Sequence, residues 1–90
     1  MSASNAEDAT TLIRRSLERE LGLLEMKKRL TQEEIKEFEH QYGMDSIEFI
    51  KRFEAGKLGD SQDSFEWWGL LKGLGAIEKE IKKARAVLYS

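Results

Sequence analysis

The chain has 90 residues, no cysteine, no proline and one histidine, and its 15 basic and 17 acidic side chains leave a net charge of −2. That length makes one small domain, and the missing cysteine excludes disulfides, thiolate metal sites and a thiol nucleophile. A slightly acidic balance argues against direct nucleic-acid binding, no apolar run approaches the ~18 residues of a membrane span, and no signal-peptide pattern is seen.

In chain order, residues 1–5 (MSASN) have nothing to bury and are expected to form a disordered N-terminal end, with residues 6–90 a single helical domain. The lack of proline favours long uninterrupted helices. From Ala6 to Tyr42 one helical pattern runs on, interrupted only by Gly22. Ile13, Leu17, Leu21, Leu24, Ile35, Phe38 and Tyr42 project within about one 100° sector, which marks the face toward the core. Gly43 should close this helix in the left-handed conformation, with Met44 packing back on its last turn.

Asp45-Ser46-Ile47-Glu48 and Asp63-Ser64-Phe65-Glu66 both read Asp-x-x-Glu ahead of apolar residues, the pattern of a capping box. The first predicts a short helix over Ser46–Ala55, ended by Gly56. A loop over 56–62 follows, with Leu58 as its anchor. The second predicts a helix over Ser64–Leu88, with Trp67, Leu70, Leu71, Leu74, Ile77, Ile81, Ala84 and Leu88 along one side. The fold class is therefore all-α: an antiparallel hairpin of two long helices joined by one short helix. Gly43, Gly56 and Gly59 are expected at positive φ.

Such a hairpin encloses little. Leu12, Leu23, Met26 and Leu30 form a second apolar set on the first helix, about 120° from the core stripe, which a single partner helix cannot cover. Contiguous apolar surface of this kind marks a contact. The simplest partner is a second copy, giving a homodimer with a four-helix core. Phe65 and Trp68 also project away from the stripe of the third helix. Either they fold onto the short helix and the loop, or they face a partner. Gly69 and Gly73, four residues apart, either leave room for another helix or are tolerated local flexibility.

Charge is unevenly placed. Residues 1–30 carry +1, residues 31–66 carry −6 from four basic and ten acidic groups, and residues 67–90 carry +3. A solvated face is the ordinary meaning of such a run. Ten carboxylates beside Phe49, Phe53, Phe65, Trp67 and Trp68 would also suit a basic partner, steered in electrostatically. Glu25/Arg29 and Glu78/Lys82 have favourable i,i+4 order within their helices.

Little here suggests chemistry. Glu37-Phe38-Glu39-His40 contains Glu-x-x-His, half of a di-metal pattern of helix bundles, but Glu37 and His40 project away from the core stripe. No metal or other cofactor is expected. The serines lie at caps and ends, and a single histidine with no nucleophile beside it makes no triad. No catalytic residue is assigned, and no enzyme is expected.

Tyr42-Gly43-Met44, Phe49, Phe53-Glu54-Ala55-Gly56-Lys57-Leu58-Gly59-Asp60 and Asp63-Ser64-Phe65-Glu66-Trp67-Trp68 together resemble a group of small helical prokaryotic proteins. Several of these look like the antitoxin halves of toxin–antitoxin pairs of the TumE/TumA kind. The resemblance covers about a third of the chain; the tryptophan at both 67 and 68 departs from it. It implies a cytoplasmic, non-enzymatic interaction module that binds and neutralises a partner toxin. With the acidic, aromatic end taken as the contact, Glu54, Asp60, Asp63, Phe65, Glu66 and Trp68 are the expected partner-binding residues. Leu12, Leu23, Met26 and Leu30 are the expected oligomer interface. The alternative is a homo-oligomeric helical scaffold with no toxin.

Overall fold

A computed structural model describes the backbone of residues 2–59 and 61–89, and side chains from Asp8 onward. Among the described residues the fold is all-helical: α1 (Ser2–Tyr42), α2 (Ser46–Glu54) and α3 (Gln62–Leu88). Helix α1 is drawn from Ser2, ahead of the Ala6 start expected. Helix α3 folds back along α1. The molecule measures 65 × 20 × 20 Å, with a radius of gyration of 19.0 Å. A compact chain of this length would have about 12 Å. No described helix is long and apolar enough to cross a membrane.

The turns follow from their sequence. Gly43 has φ 63°, and the Met44 amide donates across it to the Glu39 carbonyl at 3.2 Å. At the end of α2, Gly56 has φ 71°, its amide donates to Phe53, and that of Lys57 donates to Arg52. Both patterns are Schellman closures, which need a residue with no Cβ penalty at left-handed φ. Gly59 also has positive φ, as expected.

Asp45 caps α2 by accepting from the Glu48 amide at 2.8 Å. The reciprocal half of the box is not made, because Glu48 pairs with Arg52 one turn on. The expected cap of α3 is corrected. Ser61, not Asp63, is the N-cap, and it accepts from the Ser64 amide at 3.1 Å, so the helix starts at Gln62. Asp63 sits in the first turn instead, where its charge suits the helix dipole.

Two apolar clusters hold the hairpin. Along its lower half, Leu21 and Leu24 of α1 pack with Ile81, Ala84 and Leu88 of α3, flanked by Leu17 and Ile77. At the head, Trp67 and Phe49 are 2% and 1% exposed. Their rings stack 4.0 Å apart at 6°, and Phe38 and Tyr42 stack on Trp67 from α1. Between the clusters Leu70, Leu71 and Leu74 are only half-buried.

Two members of the expected α1 stripe are not covered. Ile13 is 60% exposed because α3 ends at Leu88, and Tyr42 is 44% exposed at the rim of the head. The expected pairs along each helix are also replaced. Glu25 bonds Arg85 at 2.9 Å and Glu78 bonds Lys28 at 3.5 Å, both across the hairpin. Exposed pairs of this kind add little stability, but they match the antiparallel register.

Candidate functional site

The head is a stack of rings pinned by a chain of hydrogen bonds. Trp67 Nε1 donates to Ser46 Oγ at 3.0 Å, and the Ser46 hydroxyl and amide both donate to Glu39 Oε2 at 2.8 Å. One carboxylate of α1 thereby satisfies the first turn of α2 and, through the serine, orients the buried indole. Charge-assisted bonds to a carboxylate are the stronger kind, so this joint ties three helices at one point. Leu58 closes the underside of the head with Met44, as a loop anchor should.

The aromatic pair left over from the α3 stripe rests on Phe53. Phe65 meets its ring edge-on at 5.8 Å, and Trp68 stacks on it at 5.9 Å. Both residues therefore fold onto the short helix, and Trp68 does so in place of the loop. Phe65 nevertheless stays 52% exposed and Trp68 half-buried. Lys72 Nζ lies 5.5 Å from the centre of the Trp68 ring, a cation–π contact showing that this face receives positive charge.

The five described residues among those expected to bind a partner do not form one cluster. Phe65 and Trp68 make the shelf on Phe53, and Glu54 is exposed at the end of α2. Asp63 and Glu66 instead line a groove of about 710 Å³ between α1 and α3, with Glu34 and Glu37 on its other wall and Gly69 and Gly73 on the α3 side. Glu66 is steadied by Gln62 Nε2 at 3.1 Å. Asp63 accepts from the Tyr42 hydroxyl. That bond is the main reason the Tyr42 phenol titrates above its ordinary range; lost hydration and the carboxylate's charge push the same way. Asp60 lies outside the described residues.

Phe53 and Lys72 complete the shelf, and Glu34 and Glu37 complete the acidic groove; none of these four was among the expected partner residues. Phe53 stood in the aromatic cluster and Glu34 and Glu37 among the ten carboxylates of residues 31–66, and for Lys72 the signal was its i,i+4 spacing from Trp68. Gly69 and Gly73 meet no neighbour: a Cβ at either would touch nothing within 4 Å, so α1 makes no close approach there. Glu37 and His40 are exposed, and among the described residues no group of three or more potential ligands could hold a metal ion.

The second apolar face of α1 remains open. Leu12, Leu23, Met26 and Leu30 are 65%, 51%, 47% and 51% exposed, and neither α2 nor α3 covers them. In comparisons with known proteins, no family model, no curated protein and no solved structure matches the chain.

Proposed function

We propose that the chain is a non-catalytic, cytoplasmic interaction module of the antitoxin kind, which holds a basic toxin protein at its acidic, aromatic head. The observation that carries this reading is the shelf of Phe65 and Trp68 on Phe53. Two large rings are held rigidly by a third yet left in reach of solvent. Rigid aromatic groups of this kind are the usual anchors of an interface. Lys72 over Trp68 occupies a place that a cation of the partner would take over. The net −6 of residues 31–66 would draw such a partner in. In this reading the chain works as a homodimer through Leu12, Leu23, Met26 and Leu30, forming a four-helix core.

The test is co-purification with the product of the adjacent gene, followed by binding kinetics at low and high salt. Trp68→Ala should weaken binding by about 2 kcal/mol, mostly through faster dissociation. Charge reversal at Glu54 and Glu66 should instead slow association and flatten its salt dependence. A neighbour that is not bound, or whose binding ignores both classes of substitution, defeats the antitoxin reading. The scaffold reading, which the exposed leucine face favours, would then stand, with self-association and no dependence on any neighbour.

A further inference from the structure

The open face of α1 carries more than apolar side chains. Taken at ~100° per residue, Arg15, Arg19, Glu33 and Glu37 fall in the same sector as Leu23, Met26 and Leu30. All four charged residues are exposed, and none is in an ion pair among the described residues. Over residues 15–37 the order along the helix is basic, apolar, acidic, while Leu12 and Asp8 continue the sector toward the N-terminus, outside the matched segment. Arg19 and Glu33 each stand seven residues from Met26, and Arg15 and Glu37 each stand eleven. A stripe of this kind is complementary to itself when reversed.

We infer that α1 pairs with α1 of a second copy, antiparallel, about a two-fold axis at Met26. This rests on the homodimer reading above and fixes its geometry. The axis sets Met26 against Met26 of the second copy and Leu23 against Leu30. It brings Arg19 to Glu33 and Arg15 to Glu37, each contact occurring twice, as a closed isologous interface requires. A parallel pairing in register would set arginine on arginine and glutamate on glutamate, at a cost that disfavours it.

The acidic groove gives the arginines a place to land. Glu37 lines it together with Glu34, Asp63 and Glu66, and Gly69 and Gly73 leave open space on its α3 wall. The arginine end of the second α1 would run beside that groove, parallel to α3. Open space at the two glycines, unexplained within one chain, is then the clearance for a fourth helix.

Single cysteines in this cysteine-free chain, combined with sedimentation equilibrium, test the register. Met26→Cys should form a disulfide-linked dimer rapidly. Arg19→Cys should not, because in the antiparallel arrangement the two copies of residue 19 stand about 21 Å apart along the helix axis, beyond the reach of a disulfide. Arg15→Glu with Arg19→Glu, and separately Glu33→Arg with Glu37→Arg, should each weaken dimerisation at least about tenfold at low salt. All four substitutions together should restore the dimer to within about threefold of the wild type, which also shows that the altered helices still fold.

A monomeric wild-type chain overturns the homodimer reading and the register with it. If the wild type is a dimer but Arg19→Cys links as fast as Met26→Cys, the register alone falls. The same holds if neither pair of charge reversals changes the dissociation constant.

Discussion

The two ends of this hairpin are built on different principles, one from three helices and the other from two. At the head, three helices converge on Trp67, whose ring is stacked by Phe49, Phe38 and Tyr42 and whose nitrogen is bonded to Ser46. At the other end two helices meet through Leu21, Leu24, Ile81, Ala84 and Leu88, with Ile13, Val87 and Tyr89 exposed around them. Arg14 donates to the Leu88 carbonyl there at 3.5 Å and so serves the last turn of α3. Aromatic stacking with a satisfied polar joint fixes one arrangement of the head. An aliphatic seam with one open side tolerates relaxation.

Truncation at each end should expose the difference. Trp67→Ala removes the ring on which three helices rest and leaves the Ser46 hydroxyl without the indole donor. Glu39 keeps both of its bonds from Ser46. The cost should be about 3–5 kcal/mol, a large share of the stability of a domain this size. Leu88→Ala at the open end should cost nearer 2 kcal/mol, because its surroundings can collapse into the space left. Urea titrations followed by circular dichroism would check this, and equal losses would show that the head is no better fixed than the seam.

The turns offer a smaller contrast. Gly56→Val forces a β-branched side chain to φ 71° and should destabilise by about 1–2 kcal/mol. Gly22→Ala lies in the middle of α1, where a Cβ meets nothing within 4 Å, and should stabilise by about 0.5–1 kcal/mol. Melting temperatures that shift in the same direction would break the assignment of Gly56 to a left-handed closure.

The smallest effect is one of pH, again confined to the head. The bond from Tyr42 to Asp63 raises the phenol's pKa in the folded chain, so the folded state holds that proton more tightly than the unfolded one. Its contribution is complete below the ordinary phenol value near 10 and is lost as pH rises through the raised one. Thermal melts at pH 8 and pH 11 should therefore show a greater alkaline loss in the wild type than in Tyr42→Phe.

Features set by local sequence were legible in advance, and features set by register were not. Asp45, Gly43 and Gly56 act within one turn of their own helices, so the pattern around each was enough to place it. At α3 the local pattern pointed to Asp63, whereas Ser61, which can cap equally well, takes the position. The choice follows from Tyr42, which takes up Asp63 from across the hairpin. Glu25 and Glu78 had partners available along their own helices, yet they bond to the opposite one. Ile13 belongs to the core stripe by spacing, but its burial depends on where α3 stops. Glu39 gave no sign of its part, since a carboxylate in the last turn of a helix opposes the dipole and reads as a surface residue. Its use appears only once α2 is folded over it. The residues proposed to meet a partner were legible as a list of residue types and not as a shape: Phe65 and Trp68 rest on Phe53, whereas Asp63 and Glu66 line the groove between α1 and α3.

Trp67 and Trp68 are neighbours in sequence with opposite surroundings, and this gives the molecule two independent optical reporters. The indole of Trp67 is sealed among rings, so its emission should lie to the blue and resist quenching by iodide. That of Trp68 lies beside an ammonium group at a surface open to water, so it should be quenched readily and respond to whatever displaces Lys72. Loss of the protected component follows unfolding of the head, whereas protection of the accessible one follows occupancy of the shelf. A single spectrum of the unlabelled chain can thus separate a ligand that binds from a change that unfolds.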